Sequence, residues 1–245
     1  MLFLPKKEIP LRDFIPHNYI DIHSHILPGI DDGVKTIYEA AFLIEKFASL
    51  GIKKIITTPH IMQQVWPNTS EIITQKLSEI QALVNTLDIP SIEILAGAEY
   101  MLDDLFQQRL KNKDILPIAN TYVLIEMSTF SAPLNLNELL FEIKLAGYTP
   151  LLAHPERYTF YNSIKEFEAL KRQGVLFQMN LLSLSGYYGA KVKETAIKLM
   201  NAGFMDFTGS DIHNNHQFET LEKGFPSKLI KKLLPIMQRN RFFNR

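Results

Sequence analysis

Four times along the chain an amphipathic, helix-length segment ends at a glycine, and a short apolar run follows at once. Leu50-Gly51-Ile52 leads into KKIITT, Ala146-Gly147-Tyr148 into TPLLA, Gln173-Gly174-Val175 into LFQM, and Ala202-Gly203-Phe204 into MDFTG. Glycine just past a helix takes the left-handed cap conformation that most side chains resist. Helix, cap and strand in repetition is the pattern of parallel β/α units. Ile37, Ala41, Ile44 and Ala48 share one helical face, as do Ile73, Leu77, Ile80, Val84 and Leu87. Further helices are expected over about 137–146, 163–173, 190–202 and 227–238. Strands are expected near 19–23, 53–58, 92–97, 121–126, 149–153, 175–179 and 205–209, which makes seven. The segments 61–70 and 183–190 read as loops. No linker or composition shift divides the chain of 245 residues, so a single α/β barrel domain is expected. Residues 1–18 read as a short N-terminal extension to a domain spanning 19–245.

Composition narrows the function classes. Lys plus Arg and Asp plus Glu are 26 each, so the net charge is zero and no basic excess points to nucleic acid. There is no cysteine, which excludes disulfides and every thiolate nucleophile, and fits a reducing compartment. No apolar run approaches the roughly 20 residues that span a bilayer. The opening MLFLPKKEIP lacks the parts of a secretory signal, and the expected location is cytoplasmic.

The ionisable residues fall in a pattern on the predicted strands. His23, His25 and Asp32 follow the first strand, His60 the second and Glu99 the third. Glu126 ends the fourth; His154 and Arg157 follow the fifth; Asn180 ends the sixth; Asp211 and His213 follow the seventh. In a parallel barrel those C-terminal ends converge on one mouth, where barrel enzymes do chemistry. His23 and His25 are two apart, so on extended backbone both rings point the same way, and Asp211 and His213 repeat the spacing. Glu126 closes an almost wholly apolar strand, where an unpaired carboxylate is costly and a cation beside it would resolve the cost. Mixed His and carboxylate donors suit Mn, Fe or Zn, and the oxygen donors fit hard divalent ions. Taken singly, each has an ordinary structural explanation: paired surface histidines, a turn at His154-Pro155, a helix cap at Asp211. Their joint placement at successive strand ends points to a metal centre.

DIHSHILPGIDDG (21–33), TTPH (57–60), GAEY (97–100), AHPERY (153–158) and GSDIH (209–213) occur in that order. With these motifs the chain resembles the PHP (polymerase and histidinol phosphatase) superfamily. More narrowly it resembles its CpsB/CapC/YwqE-type bacterial tyrosine-protein phosphatases, associated with capsular and exopolysaccharide synthesis. The resemblance implies a distorted seven-stranded TIM-like barrel and a centre of three divalent ions, usually manganese, with Fe, Co, Mg or Zn as alternatives. It implies that His23, His25, Glu99 and Asp211 hold one ion. Glu99, Glu126 and His154 would hold a second, and Asp32, His60 and His213 a third. Arg157 would grip phosphate. His60, His213 and a metal-bound water are the candidate proton donors, and the sequence does not choose among them. The family often carries an arginine soon after the SDxH segment; here SDIHNNHQFETLEKGF has none, and His216 is a possible substitute.

The implied substrate is a phosphotyrosyl protein, by analogy a membrane-associated tyrosine kinase, with no nucleic acid and no insertion into the bilayer. Rim aromatics Tyr100, Phe130, Tyr158, Tyr187 and Tyr188 are candidates to pack against the phenyl ring. The alternatives are another PHP phosphatase, of the histidinol phosphatase kind, and a non-catalytic regulator of polysaccharide export. Oligomeric state is left open.

Overall fold

The computed structural model describes residues 8–244; residues 1–7 of the expected N-terminal extension lie outside the described residues. The strands are β1 (Glu8–Ile9), β2 (Ile20–Asp21), β3 (Lys54–Thr57), β4 (His60–Ile61), β5 (Glu93–Ala96) and β6 (Glu99–Met101). They continue with β7 (Tyr122–Glu126), β8 (Thr149–Ala153), β9 (Leu176–Asn180), β10 (Phe207–Gly209) and β11 (Phe225–Pro226). The helices are α1 (Ile37–Ser49), α2 (Ser70–Val84), α3 (Asp104–Lys111), α4 (Leu136–Leu145) and α5 (Ile164–Arg172). Then come α6 (Leu181–Ser185), α7 (Ala190–Asn201), α8 (Asn215–Glu222) and α9 (Ser227–Arg239).

Sheet and helix alternate as the glycine-capped repeats require. Strands β10-β9-β8-β7-β6-β4 form one parallel sheet and β2-β3-β5 another. The two are continuous through the chain: β3 runs on into β4 after Thr58-Pro59, and β5 into β6 after Gly97-Ala98. The Gly97 N–H donates to Thr57 O at 2.9 Å and the Glu99 N–H to Pro59 O at 3.1 Å, so pairing persists across the break. The result is a mixed α/β fold with a curled, parallel half-barrel sheet. Beyond β2 and β10 the two edges meet in a single parallel bridge, Ser24 to Ile212. There the Asp211 N–H donates to His23 O at 2.7 Å and the His25 N–H to Ile212 O at 2.9 Å.

Both faces of the sheet are apolar. Val123, Ile125 and Leu152 join the large cluster beneath the helices, while Leu124, Leu151 and Ala153 join Ile20, Ile22, Ile56 and Phe243 on the other face. That is why these strands read as unbroken apolar runs and not as alternation. Lower on the seam between β2 and β10, Asn240 acts in place of strand pairing. Its Nδ2 donates to Ile20 O at 2.8 Å and Thr208 O at 2.7 Å, and its Oδ1 accepts from the Thr208 N–H at 3.1 Å.

Several boundaries differ from expectation. Leu87 lies beyond the end of α2, and the buried side of α1 is Ala40, Leu43, Ile44, Phe47 and Ala48, rotated from the expected Ile37–Ala41 stripe. Residues 183–185 are the end of α6, not loop. Helices α3 and α8 were not foreseen: each is 8 residues long, too short for a clear period, and each is started by a side-chain cap, Asp103 or Asn214. The antiparallel pair β1–β11 was also missed, because two residues carry no periodic signal. Among the described residues no helix is long and apolar enough to cross a membrane.

Candidate metal centre

Every residue singled out at a strand end emerges on the same side of the sheet. His23 and His25 follow β2, His60 opens β4, and Glu99 opens β6. Glu126 ends β7, His154 follows β8, Asn180 ends β9, and Asp211 and His213 follow β10. Two glycines make the close approach possible. A Cβ on Gly209 would sit 2.6 Å from His23 Cβ, and one on Gly33 would sit 2.2 Å from His25 O. Gly33 thus lets the Asp31-Asp32-Gly33 turn press onto His25, sending Asp31 inward and Asp32 outward. His154 (φ 35°) and Asp211 (φ 53°) both hold the left-handed backbone conformation. For His154 this precedes a proline, where steric clash already disfavours compact conformations. Strain of this kind persists only where the surroundings over-determine it, and it gathers at functional sites.

Donor atoms fall into three sets, each with its atoms within 4.8 Å of one another. The first is His23, His25, Glu99 and Asp211; the second is His60, Glu99 and Glu126; the third is His25, Asp32, His60 and His213. The first matches the grouping expected from the resemblance. In the second His60 stands where His154 was expected, and in the third His25 joins the expected three. His154 is adjacent, its Nε2 lying 2.9 Å from Glu99 Oε1. Glu99 is the hub: Oε2 lies 3.1 Å from His23 Nε2, 3.4 Å from His25 Nε2 and 3.2 Å from His60 Nδ1. Asp211 Oδ1 lies 3.2 Å from His23 Nε2 and 3.3 Å from His25 Nε2. Asp32, with its side chain 49% exposed, reaches His60 Nε2 and His213 Nε2 from the solvent side, each at 3.4 Å.

Electrostatics explain how so many ionisable groups coexist. Burial opposes charge on His23, yet Glu99 and Asp211 outweigh it and lift its pKa to about 10. Burial likewise opposes charge on His25, and Asp31, Asp211 and Glu99 raise it well above the usual histidine range. Glu99 and Asp211 are held far below the carboxylate range despite burial, by His23 foremost. His154 is the exception: burial and then Arg157 push its pKa down, which favours the neutral ring. A neutral imidazole is the form that binds a metal.

Divalent cations fit this donor set. His23 Nε2 and His25 Nε2 face each other at 3.2 Å between two carboxylates. His60 Nδ1 and Glu126 Oε1 are buried 2.9 Å apart as an ion pair, and among the described residues neither has a hydrogen-bond partner of suitable geometry. Orphaned buried polar atoms are costly and rare in native proteins, and a cation taken between such a pair satisfies both. The outer nitrogens are fixed: His23 Nδ1 donates to Gln178 Oε1 at 2.7 Å and His25 Nδ1 to Asp31 Oδ2 at 2.8 Å. That leaves both Nε2 atoms turned to the cluster.

Asp31, Gln178 and Asn180 are the functional residues that sequence reading passed over or left without a role. Asp31 also accepts from the His60 N–H at 3.2 Å, and Asn180 Nδ2 donates to Asp211 Oδ2 at 2.6 Å. The only available signal was a polar residue inside an otherwise apolar strand, which Gln178 and Asn180 both are. Arg157 stands at the mouth. Its Nη1 donates to Asp211 Oδ2 at 3.1 Å, and its guanidinium lies 4.6 Å from the centre of the Tyr188 ring. Both residues border a cavity of about 730 Å3 together with Asp32, His60, Glu126, Asp211 and His213.

The expected rim aromatics divide. Tyr100 and Tyr158 are fully buried and their hydroxyls are engaged, by the Leu116 N–H and by Met127 and Ala153, so they belong to packing. Tyr188 borders the cavity; Phe130 is 90% exposed on the loop after β7. His216 is exposed and borders a neighbouring cavity with Lys35, not the one holding Arg157.

Residues 19–231 match the family described as capsular polysaccharide synthesis, CpsB/CapC. The chain is 32% identical over 199 residues to CapC of Staphylococcus aureus, spanning 80% of this chain and 77% of that one. It is 31% identical over 223 residues to the tyrosine-protein phosphatase YwqE of Bacillus subtilis, spanning 86% of each. A solved structure from the work on YwqE of Bacillus subtilis and CpsB of Streptococcus pneumoniae, described as metal-dependent tyrosine phosphatases, superposes with a TM-score of 0.74. That match is 29% identical and covers 90% of this chain and 94% of the other.

Proposed function

The chain belongs to the CpsB/CapC family of capsular polysaccharide synthesis, and from this membership and the site we infer that it is a metal-dependent protein-tyrosine phosphatase. The reaction is hydrolysis of a phosphoric monoester, with water attacking phosphorus and the tyrosyl oxygen leaving. The observation that carries the reading is the convergence of His23, His25, Glu99, Glu126 and Asp211 in overlapping donor sets, against a cavity that Glu126, Asp211 and Arg157 border. The cofactor is manganese, with up to three ions held by His23, His25, Asp32, His60, Glu99, Glu126, His154, Asp211 and His213. Such ions supply Lewis acidity toward the phosphoryl oxygens and activate water.

The chain's own residues do the rest. Arg157 binds the phosphoryl oxygens, exchanging part of its contact with Asp211 for the substrate and keeping its seat on Tyr188. Of His60 and His213, both bordering the cavity, the one not engaged with an ion gives a proton to the departing phenolate. Asn180 and Arg157 hold Asp211, and Gln178 holds His23, so the donors need little rearrangement. The seven parallel segments form a distorted seven-stranded TIM-like barrel closed at Ser24–Ile212, a reading supported by the bridge there. The phosphatase domain runs over 19–245, as the start of the family match at residue 19 supports. The physiological substrate is a phosphotyrosyl protein, a membrane-associated kinase of polysaccharide synthesis being the leading candidate, met in the cytoplasm.

One assay tests the reading. Chelated protein should lose activity and Mn2+ should restore it, with phosphotyrosyl peptide preferred over phosphoseryl peptide and histidinol phosphate. Full activity in metal-free protein would overturn the metal chemistry. Preference for histidinol phosphate would move the chain to the other phosphatase class.

A further inference from the structure

Trp66, the only tryptophan in the chain, lies on the segment between β4 and α2. Its indole is stacked on the His60 ring, with centroids 5.0 Å apart and planes 14° from parallel. The ring is partly exposed, and it borders the cavity that also holds Arg157 and Tyr188. Met62, Met101 and Met127 border the same cavity. The phosphate-binding and metal-binding groups therefore share a chamber with one large aromatic surface and three thioethers, a combination suited to a flat apolar group attached to a phosphate.

The segment that carries Trp66 is fastened on several sides. Met62 and Trp66 exchange backbone hydrogen bonds, at 2.9 and 3.0 Å, which closes a tight loop. Asn68 Nδ2 donates to Ile30 O and to His60 O, each at 2.8 Å. Arg109 Nη2 donates to Asn68 O at 2.7 Å, and the Gln63 N–H donates to Asp103 Oδ2 at 2.9 Å. The turn at Ile30, β4, and α3 with its cap thus hold the loop in place, so the indole is presented to the cavity before any substrate arrives. A surface ordered in advance costs less on binding than one that must be fixed then.

We propose that Trp66 is the specificity-determining wall for the aryl group of the substrate, selecting phosphotyrosine over alkyl phosphates. The inference rests on the phosphatase reading above. The phosphate is drawn to Arg157 and the metal-binding end, and the phenyl ring packs against the indole surface left free by His60. A serine or threonine phosphate carries no ring and leaves that surface wet. Trp66 also shields His60 from water, so the test must separate contact with substrate from support of His60.

Two ligands that cannot be hydrolysed make that separation: a phosphonomethyl-phenylalanine peptide and methylphosphonate. Calorimetry on metal-loaded protein gives the affinity of each for wild type, Trp66→Leu and Trp66→Phe. The ratio of aryl to methyl affinity should fall roughly 10- to 100-fold in Trp66→Leu, within the range that apolar pockets achieve. Trp66→Phe should recover most of it. Equal loss of both ligands would mean that Trp66 only supports His60, and an unchanged ratio would mean that it does neither; either result overturns the proposal. Tryptophan emission of wild type, excited where tyrosine does not absorb and so reporting Trp66 alone, should change and saturate with the aryl ligand and stay flat with methylphosphonate. Failure of wild type to hydrolyse phosphotyrosyl peptide would overturn the phosphatase reading, and the two binding arms would still decide the role of Trp66.

Discussion

At the scale of single residues, neighbouring side chains in one short turn have opposite fates. Asp31 and Asp32 are adjacent, yet Asp31 is 5% exposed with its carboxylate on His25 Nδ1, while Asp32 faces the cavity. Asp31→Asn keeps the shape and removes the anion that holds the His25 proton outward. It should weaken Mn2+ binding by roughly 10- to 100-fold, the usual cost of losing such a partner, as read by calorimetry; unchanged affinity would mean that His25 is oriented by packing alone. Arg157→Ala should raise KM for phosphotyrosyl peptide and the inhibition constant of phosphate together, because it removes a contact made to the bound phosphoryl group. A fall in kcat with unchanged KM would count against a binding role. The strand-end donors were legible one by one, since chemistry-bearing residues in apolar runs stand out. The pair partners were not, because the choice between Asp31 and Asp32 depends on which way a turn rolls.

At the scale of elements, the two sheets are pinned where backbone pairing is thin. β2 is two residues long, and Asn240, from the turn after α9, supplies three hydrogen bonds to β2 and β10. Asn240→Leu would leave Ile20 O, Thr208 O and the Thr208 N–H buried without that partner. Thr208 O keeps the Tyr19 hydroxyl at 3.5 Å, so at about 1–3 kcal/mol for each of the other two buried groups the loss should be at least about 2 kcal/mol. Urea unfolding measures it, and a change below 1 kcal/mol would show that the seam closes by other means. Nothing in the C-terminal sequence announces this role, because the partner lies 220 residues away in the chain. By contrast the helix–glycine–strand units were read correctly in kind and nearly in extent. Their cause is local: an apolar stripe, a cap, and a residue free to take positive φ, as Gly51, Gly147, Gly174 and Gly203 do.

At the scale of the whole molecule, the metal centre and the fold stabilise one another. Its donors come from β4, β6 and β7 and from the segments that follow β2, β8 and β10, so cations held there tie together segments from one end of the sheet to the other. A ligand that binds only the folded state stabilises it by about 4 kcal/mol at a thousandfold excess over its Kd. For a chain of this length that corresponds to a rise in Tm of roughly 8–16 °C. Calorimetric melts with Mn2+ and with chelator should differ by this amount, and His23→Ala together with Asp211→Ala should abolish the difference. Identical melts would argue against cations at the cluster.

The parallel β/α order, the helix caps and the donor types at each strand end follow from the sequence alone, because each depends on residues within one or two turns of one another. The curl of the sheet, the Asn240 seam, the approach of His60 to Glu126, and the placing of Trp66 over His60 were decided only in three dimensions. Each of these is a contact between segments far apart in the chain. Such contacts are settled by how the elements pack and by which buried polar atoms must find partners.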